Sequence, residues 1–190
     1  MTGLKVIARD IRNCTLCPLA TGRSATVPGE GPSRARLMFI GEAPGRQEDT
    51  EGKPFLGRSG KVLEQALNDA GIRRNDVFIT NVVKCRPPNN RLPLKNEIHT
   101  CVTAHLNRQI QAIKPDIICL LGITAVKAFL GGSRLNAIRG RLVLKERRYF
   151  ATYHPAAAGR SAACYRTFQS DIKVLGELLR ENSRSLHGGP

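Results

Sequence analysis

The sequence predicts a three-layer α/β/α domain built on a mostly parallel central sheet. Short apolar, β-branched segments alternate along the chain with longer segments whose apolar residues recur at helical spacing, which is the pattern of βαβ units. Apolar residues make up 41% of the 190 residues, which favours a globular protein over a disordered one. We expect a single domain over residues 1–182 and a flexible tail over 183–190.

The strand pattern is clearest in four short segments bounded by turn-forming residues. These lie at 36–40, 77–83, 116–121 and 149–153, and a weaker candidate lies at 141–144. We therefore expect a four-stranded, mostly parallel sheet. Ligands of such sheets bind beyond the carboxyl ends of the strands, so the segments that follow the strands are the candidates for function.

Helical periodicity fills the intervals between these strands. A short helix is expected over 4–12, ahead of the first strand. Apolar residues then recur every three or four positions in 59–70, 95–113 and 165–180, which predicts amphipathic helices that pack on the sheet. The segment 86–96 is rich in Pro and Asn, which predicts a loop within the domain.

The chain is strongly basic. Lys and Arg number 30 against 15 Asp and Glu, which gives a formal net charge of +15. Self-repulsion at such a charge opposes folding, so the excess favours an anionic partner, of which nucleic acid is the commonest. A cation-rich surface for solubility, or for a hot and salty cytoplasm, is the alternative.

Neither a membrane-spanning segment nor a secretory signal is expected. No apolar run approaches the roughly 18 residues that a spanning helix needs. The N-terminal segment mixes charged and apolar residues and has no apolar core followed by a small-residue cleavage site. We therefore expect a cytoplasmic protein with no membrane partner.

Four of the six cysteines suggest a metal site. Cys14 and Cys17 form a Cys-x-x-Cys pair after the first helix, Cys85 follows a strand, and Cys101 lies on the next helical segment. In a reducing compartment such a set favours metal binding over disulfides. The spacing does not match a zinc finger or ribbon, and four thiolates from three segments suit a [4Fe–4S] cube, but the spacing leaves both metals open. Cys119, inside an apolar strand, is expected in the core.

Two segments that follow predicted strands carry the candidate chemistry. GEAPG at 41–45 leaves the first strand through a Gly/Pro turn that can aim backbone N–H groups at a ligand. Its continuation carries Glu42, Glu48 and Phe55, and an aromatic side chain in a Gly-rich loop is a candidate for stacking on a base. His154 follows the last strand on the same edge, which favours a functional role over a structural one.

In combination, these motifs resemble those of the family-4 uracil-DNA glycosylases, the iron–sulfur branch of the uracil-DNA glycosylase superfamily. The resemblance rests on GEAPG, GKPFLGRSG, ITNVVKCRPP and HPAA and on the cysteines at 14, 17, 85 and 101. It implies the glycosylase-like fold and a [4Fe–4S] cluster held by those four cysteines. It also implies a DNA-repair enzyme that flips uracil out of single- or double-stranded DNA and hydrolyses its N-glycosidic bond, leaving an abasic site.

The resemblance implies a role for each motif residue. Phe55 would stack on the uracil, Asn81 would read its edge, and Glu48 would crowd the C5 position against the methyl group of thymine. His154 would donate a hydrogen bond to O2 of the departing uracil, and Glu42 is the candidate for orienting the attacking water. The pocket would be lined by the backbone of Gly41, Glu42 and Ala43.

DNA contacts are expected from basic residues near the motifs, namely Arg58, Arg86, Arg91 and Arg160. Arg160 is also the candidate for the wedge that fills the space of the flipped nucleotide, because the stretch after HPAA lacks the bulky apolar residue of similar family members. We expect a monomer in a prokaryotic or archaeal cell, associated with the nucleoid.

A second function class stays open at the level of the sequence. A non-catalytic iron–sulfur or zinc nucleic-acid-binding module would keep the four cysteines and the basic charge. It would not need Phe55, Asn81 and His154 together.

Overall fold

The structure, a computed structural model, describes residues 3–132 and 134–187, with the backbone alone described from residue 182 onward. Its centre is one sheet whose strands are β1 Leu37–Gly41, β2 Phe78–Asn81, β3 Ile117–Leu121, β4 Leu142–Leu144 and β5 Arg148–Thr152. The strand order across the sheet is β2-β1-β3-β5-β4. Each strand lies within or beside a segment that the sequence predicts as a strand.

The predicted three-layer α/β fold with a mostly parallel sheet is confirmed, but the sheet has five strands rather than four. β2, β1, β3 and β5 are parallel to one another, and β4 pairs antiparallel with β5 at the sheet edge. The additional strand is the weaker candidate at 141–144. It forms because a short turn brings Leu142 opposite Phe150 and Leu144 opposite Arg148.

Helices cover both faces of the sheet. Their bounds are α1 Gly3–Arg12, α2 Arg46–Glu51, α3 Arg58–Asp69, α4 Lys95–Cys101, α5 Asn107–Ile113, α6 Ile123–Leu130, α7 Leu135–Ile138, α8 Pro155–Ala158 and α9 Ala162–His187. A π-helical turn over Val102–Leu106 joins α4 to α5, so the helix predicted over 95–113 is one continuous helical segment. α9 continues into the segment assigned to the tail, and residues 188–190 lie outside the described residues.

Alternation along the strands divides the core into two layers. In β1, Met38 and Ile40 belong to the layer that packs beneath α4, α5 and α6, whereas Leu37 and Phe39 belong to the layer beneath α3 and α9. This period of two is what a strand buried on both faces requires. Cys119 is fully buried in β3, as expected of a core residue.

A buried carboxylate ties α9 to the end of β5. Asp171 is 4% exposed, and its two oxygens accept hydrogen bonds from the Thr152 hydroxyl and the Arg139 guanidinium, both at 2.7 Å. Thr152 is the last residue of β5, two positions before His154. The network therefore fixes the strand end from which His154 projects.

Replacing Asp171 should destabilise the fold strongly. Asp171→Ala leaves the buried Thr152 hydroxyl and the Arg139 guanidinium without their acceptor, and breaking such a pair costs about 3 kcal/mol. Urea unfolding measures the loss. The control is Asp76→Ala, which removes the exposed partner of Arg73 and should have a far smaller effect. Equal midpoints for the two variants would contradict a structural role for the buried pair.

Candidate active site

The carboxyl ends of the parallel strands meet at one edge of the sheet and border a cavity of about 190 Å³. β1 ends at Gly41, opposite Asn81 at the end of β2, and His154 follows β5 at the same edge. The cavity wall includes six of the seven residues predicted to bind the ligand: Glu42, Ala43, Glu48, Phe55, Asn81 and His154. The seventh, Gly41, lies directly behind this wall.

Gly41 has no Cβ atom, and two pocket side chains occupy the space where that atom would lie. A Cβ atom at this position would lie 2.4 Å from Asn81 Oδ1 and 2.6 Å from Phe55 Cζ. Neither distance is compatible with a side chain at residue 41. The absence of a Cβ thus lets the Phe55 ring and the Asn81 carboxamide approach each other across the end of β1.

The Asn81 side chain is an unsatisfied polar group in the pocket wall. The residue is 1% exposed, and its Oδ1 has no hydrogen-bond partner among the described residues. A buried acceptor without a partner costs free energy that a ligand donor would recover. The site is therefore prepared to accept a hydrogen bond from a bound molecule.

Lys84 supports Asn81 from behind. Its side chain is buried, and its ammonium donates to the Asn81 backbone oxygen at 2.7 Å and to the Thr80 hydroxyl at 2.6 Å. Burial lowers the pKa of Lys84 to about 7. Lys84 is not among the site residues predicted from the sequence, although a lysine directly after the apolar pair at 82–83 indicates a charged group near the end of a buried strand.

Glu48 fixes the loop that carries Phe55. Its Oε1 accepts the backbone N–H groups of Leu56 at 2.9 Å and Gly57 at 2.8 Å, and the side chain is buried. Phe55 has a left-handed backbone, with φ of 53°. The carboxylate therefore holds a strained aromatic residue in place at the start of α3.

Phe55 serves both the core and the cavity. Its place in a Gly-rich loop predicts contact with a ligand, and the residue is also buried and packs with the layer beneath α3 and α9. The first turn of α3 passes so close that a Cβ at Gly60 would lie 1.9 Å from the Phe55 oxygen. The Phe55 ring centroid is 5.8 Å from that of His154, with a 30° interplanar angle, and both rings line the cavity.

His154 is a neutral hydrogen-bond donor at the cavity. Burial lowers its pKa to about 4, against the opposing effect of the Glu48 carboxylate. Its Nδ1 accepts the Ala156 backbone N–H at 3.1 Å, so the neutral ring carries its proton on Nε2. Gly122, with φ of +88°, makes room for this residue, because a Cβ there would lie 2.9 Å from His154 Cβ.

Glu42 is held at the cavity by a partner that the sequence analysis missed. The Thr124 hydroxyl, in the first turn of α6, donates to Glu42 Oε2. Thr124 lies two residues beyond Gly122, at the strand end where the sequence located possible function. Thr124 binds Oε2 alone, so Oε1 is the Glu42 oxygen that it does not bind.

Asp49, which clusters with Glu42 and Glu48 in the sequence, has a different environment. It is buried, and its carboxylate accepts the backbone N–H groups of Ser24 and Ala25. It therefore anchors the segment at 24–25 and does not line the cavity.

The basic residues predicted to contact DNA have different environments. Arg58 and Arg160 are exposed beside a second cavity of about 380 Å³, which shares Glu48, Ser59 and Ala156 with the first. Arg86 donates to Asn90, and both terminal nitrogens of the Arg91 guanidinium donate to the buried Glu97 carboxylate. Arg91 therefore shapes the first cavity from a fixed position.

The four cysteines predicted as ligands line a separate pocket behind β2, at positions 14, 17, 85 and 101. Burial raises the pKa of the Cys101 thiol to about 11 and raises that of Cys85 as well. Within the described part of the chain, no three His, Cys, Asp or Glu side chains are grouped so as to hold a metal ion. Four thiols around one pocket can supply the four corner ligands of a cube.

Two polar side chains border the cysteines, and the sequence analysis missed both. Arg23 donates to Cys85 Sγ at 3.0 Å and to the Cys14 backbone oxygen at 2.7 Å. His105 lies in the π-helical turn that follows Cys101; it is buried, and neither ring nitrogen has a hydrogen-bond partner among the described residues. An unsatisfied imidazole beside four thiols fits a site that takes a polar, sulfur-rich group.

The chain is similar in sequence to known uracil-DNA glycosylases. Residues 28–175 match the uracil DNA glycosylase superfamily. The chain is 39% identical to the type-4 uracil-DNA glycosylase of Archaeoglobus fulgidus, over 98% of each chain. It is 44% identical to that of Pyrobaculum aerophilum, over 86% of this chain and 88% of the relative, and 42% identical to that of Thermotoga maritima, over 94% and 95%.

The protonation state of His154 can be measured directly. Long-range ¹H–¹⁵N NMR, assigned by the signal missing from His154→Gln, should show a neutral Nε2–H ring at pH 7 that titrates near pH 4. Because the unfolded chain's histidine titrates near pH 6.5, the neutral ring's contribution to stability is complete above about pH 6.5 and declines as pH falls toward 4. Titration near 6.5, or an Nδ1–H tautomer, would contradict the geometry.

Proposed function

The chain belongs to the uracil DNA glycosylase superfamily, and from this premise we propose that it excises uracil from DNA by hydrolysing the N-glycosidic bond. The enzyme is a DNA-repair hydrolase that acts on N-glycosyl bonds. The product is free uracil together with an abasic site in the DNA. Base excision of this kind needs a pocket that a flipped nucleotide can enter, which the cavity at the strand ends provides.

The unpartnered carboxamide of Asn81 is the observation that carries the proposal. Its Oδ1 can accept uracil N3–H, and its amide nitrogen can donate to uracil O4. Cytosine presents the reversed pattern at these two positions, with an acceptor at N3 and a donor at C4. One buried Asn therefore selects uracil over cytosine, and the support from Lys84 fixes the strand end from which the carboxamide projects.

The Phe55 ring supplies the stacking surface for the flipped base. The bonds from Glu48 to Leu56 and Gly57 keep that ring in position before the substrate arrives. Exclusion of thymine at the C5 edge by Glu48 stays a prediction, supported by the position of Glu48 in the cavity wall.

Catalysis is divided between His154 and Glu42. The C1′–N1 bond breaks, its electron pair goes to the uracil ring, and His154 Nε2–H donates to O2, where negative charge develops. Water adds to C1′ and becomes its hydroxyl group, and the proton that the water loses balances the proton that the departing uracil anion takes up. The Glu42 carboxylate orients this water and offsets the positive sugar. Thr124 holds one Glu42 oxygen, which leaves the other for the water.

A [4Fe–4S] cluster held by Cys14, Cys17, Cys85 and Cys101 is part of this proposal. Four thiols around one pocket, two of them buried, and the Arg23 donor to a thiol sulfur are the features that support it. When bound, the cluster supplies a cross-link between α1, β2 and α4, and hydrolysis requires no redox step. The cross-link would anchor both ends of the loop over 86–96.

DNA binding is assigned to the basic face around the two cavities. The second cavity, with Arg46, Arg58 and Arg160, is suited to a phosphate next to the flipped nucleotide. We infer that single- and double-stranded DNA both serve as substrates and that the protein acts as a monomer in the cytoplasm, on nucleoid DNA. No described helix is long and apolar enough to cross a membrane.

Single-turnover excision from a uracil-containing oligonucleotide, followed by alkaline cleavage, tests the proposal. His154→Ala should slow excision by about 10²–10³ with little loss of DNA binding, because it removes one preorganised donor to the developing anion. The control is His99→Ala, an exposed histidine of α4 outside the cavity. Asn81→Asp should lose uracil excision. A wild-type protein that binds DNA and cleaves nothing would instead favour the non-catalytic module.

Metal analysis tests the cluster. Protein made anaerobically under iron-replete conditions should be brown and contain about four irons per chain. Cys101→Ala should lose iron and absorbance, whereas Cys164→Ala, outside the cysteine pocket, should keep both. One zinc per chain in the same preparation would contradict the cluster.

A further inference from the structure

A bulky apolar side chain projects into solvent beside the substrate cavity. The exposed large apolar residues of the described chain are Leu16, Leu92, Leu94, Ile123 and Leu144. Leu16 borders the cysteine pocket, Ile123 is the least exposed and starts α6, and Leu144 lies on edge strand β4. Leu92 and Leu94 alone belong to the loop that contributes to the cavity wall.

Leu92 is the one of these two that adjoins the cavity. It is 67% exposed, and it directly follows Arg91, which lines the wall together with Asn90 and Pro87. Consecutive Cα atoms are about 3.8 Å apart, so the Leu92 backbone lies next to that of a residue in the cavity wall. A partner that covers this side chain would gain the free energy of burying it.

Residues on both sides of Leu92 are hydrogen-bonded to one buried carboxylate. The Arg91 guanidinium donates to Glu97 at 2.7 Å and 2.9 Å, and the Leu94 N–H donates to Glu97 at 2.7 Å. Arg91 also donates to the Leu92 backbone oxygen at 2.9 Å. The Glu97 side chain is 1% exposed. Leu92 is therefore presented outward on a fixed backbone.

Charge around the loop matches DNA as the partner that covers Leu92. Arg86 lies within the loop and Lys95 starts α4, in a chain of net charge +15, whereas the charge of Arg91 is balanced by Glu97. An apolar side chain on a cationic, rigid loop fits the interior of a base stack flanked by phosphates.

A flipped nucleotide leaves a gap in the stack that must be filled for the extrahelical state to persist. After His154 the chain continues as Pro155, Ala156, Ala157, Ala158 and Gly159, none of which can fill such a gap. Arg160 comes next, but its charged guanidinium lies beside the second cavity, where a phosphate can bind.

We propose that Leu92 is the side chain that enters the base stack and occupies the space of the flipped nucleotide. This inference rests on the proposed function. It assigns to the loop over 86–96 a mechanical role in opening duplex DNA, and it leaves Arg160 to contact phosphate.

The experiment compares excision from a uracil-containing duplex and from the same strand alone, under single-turnover conditions. Leu92→Ala should slow duplex excision by about 10- to 100-fold, as expected for losing the burial of one Leu side chain, and leave single-strand excision within about twofold. Leu92→Phe should retain duplex activity. Leu144→Ala, an exposed leucine on β4, is the matched control and should change neither rate.

A spectroscopic readout separates stacking from general damage. With 2-aminopurine next to the uracil in the duplex, the wild type should raise fluorescence on binding, and Leu92→Ala should not. Equal losses on both substrates, an unchanged duplex rate, or a larger duplex-specific loss in Leu94→Ala or Arg160→Ala would each overturn the assignment. Wild-type protein inactive even on the single strand would overturn the proposed function itself, and this inference with it.

Discussion

Parallel pairing of the neighbouring strands β2, β1, β3 and β5 is the constraint on which the site depends. It sets the ends of four distant chain segments at one edge, with Gly41 opposite Asn81 and Leu121 opposite Thr152. Neighbouring strands are only about 4.8 Å apart. A large side chain at the end of one strand therefore fits only if the adjacent residue on the neighbouring strand has no side chain. Gly41 meets this requirement beside Asn81 and Phe55, and Gly122 meets it beside His154.

Three buried polar side chains that support the cavity wall have hydrogen-bond partners, whereas Asn81 in the wall keeps an acceptor free for a substrate. Glu48 accepts two backbone N–H groups, Lys84 donates to two oxygens, and Asp171 accepts from a hydroxyl and a guanidinium. Each network holds backbone that carries a pocket residue. Among the cavity-lining side chains, Asn81 is the one with a buried atom that lacks a partner. Such preorganisation lowers the reorganisation needed when the base enters.

Local patterns predicted the strands and the long helices because these follow from hydrophobic periodicity within one segment. The pattern does not reveal α6, since ITAVKAFL has a single charged residue and hence no clear polar face. Position relative to a strand end was enough to nominate Glu42 and His154, and the family resemblance added Asn81. The partners of these residues were not predictable, because Thr124 meets Glu42 across 82 positions of sequence and no local pattern encodes that contact. The neutral state of His154 likewise depends on burial that only the folded chain creates.

The segment from Asn81 to Cys101 connects the cavity wall, the cysteine pocket and the loop over 86–96 within one stretch of chain. Asn81 ends β2, Lys84 bonds back to it, and Cys85 follows at once; the loop over 86–96 then returns through α4 to Cys101. A cross-link between the two cysteines would close this loop and remove most of the conformational entropy that its free ends would otherwise have. The Arg91–Glu97 pair fixes the loop's interior independently. The backbone at residue 92 can therefore stay in place when its side chain enters a base stack. A loop held at only one end would move instead.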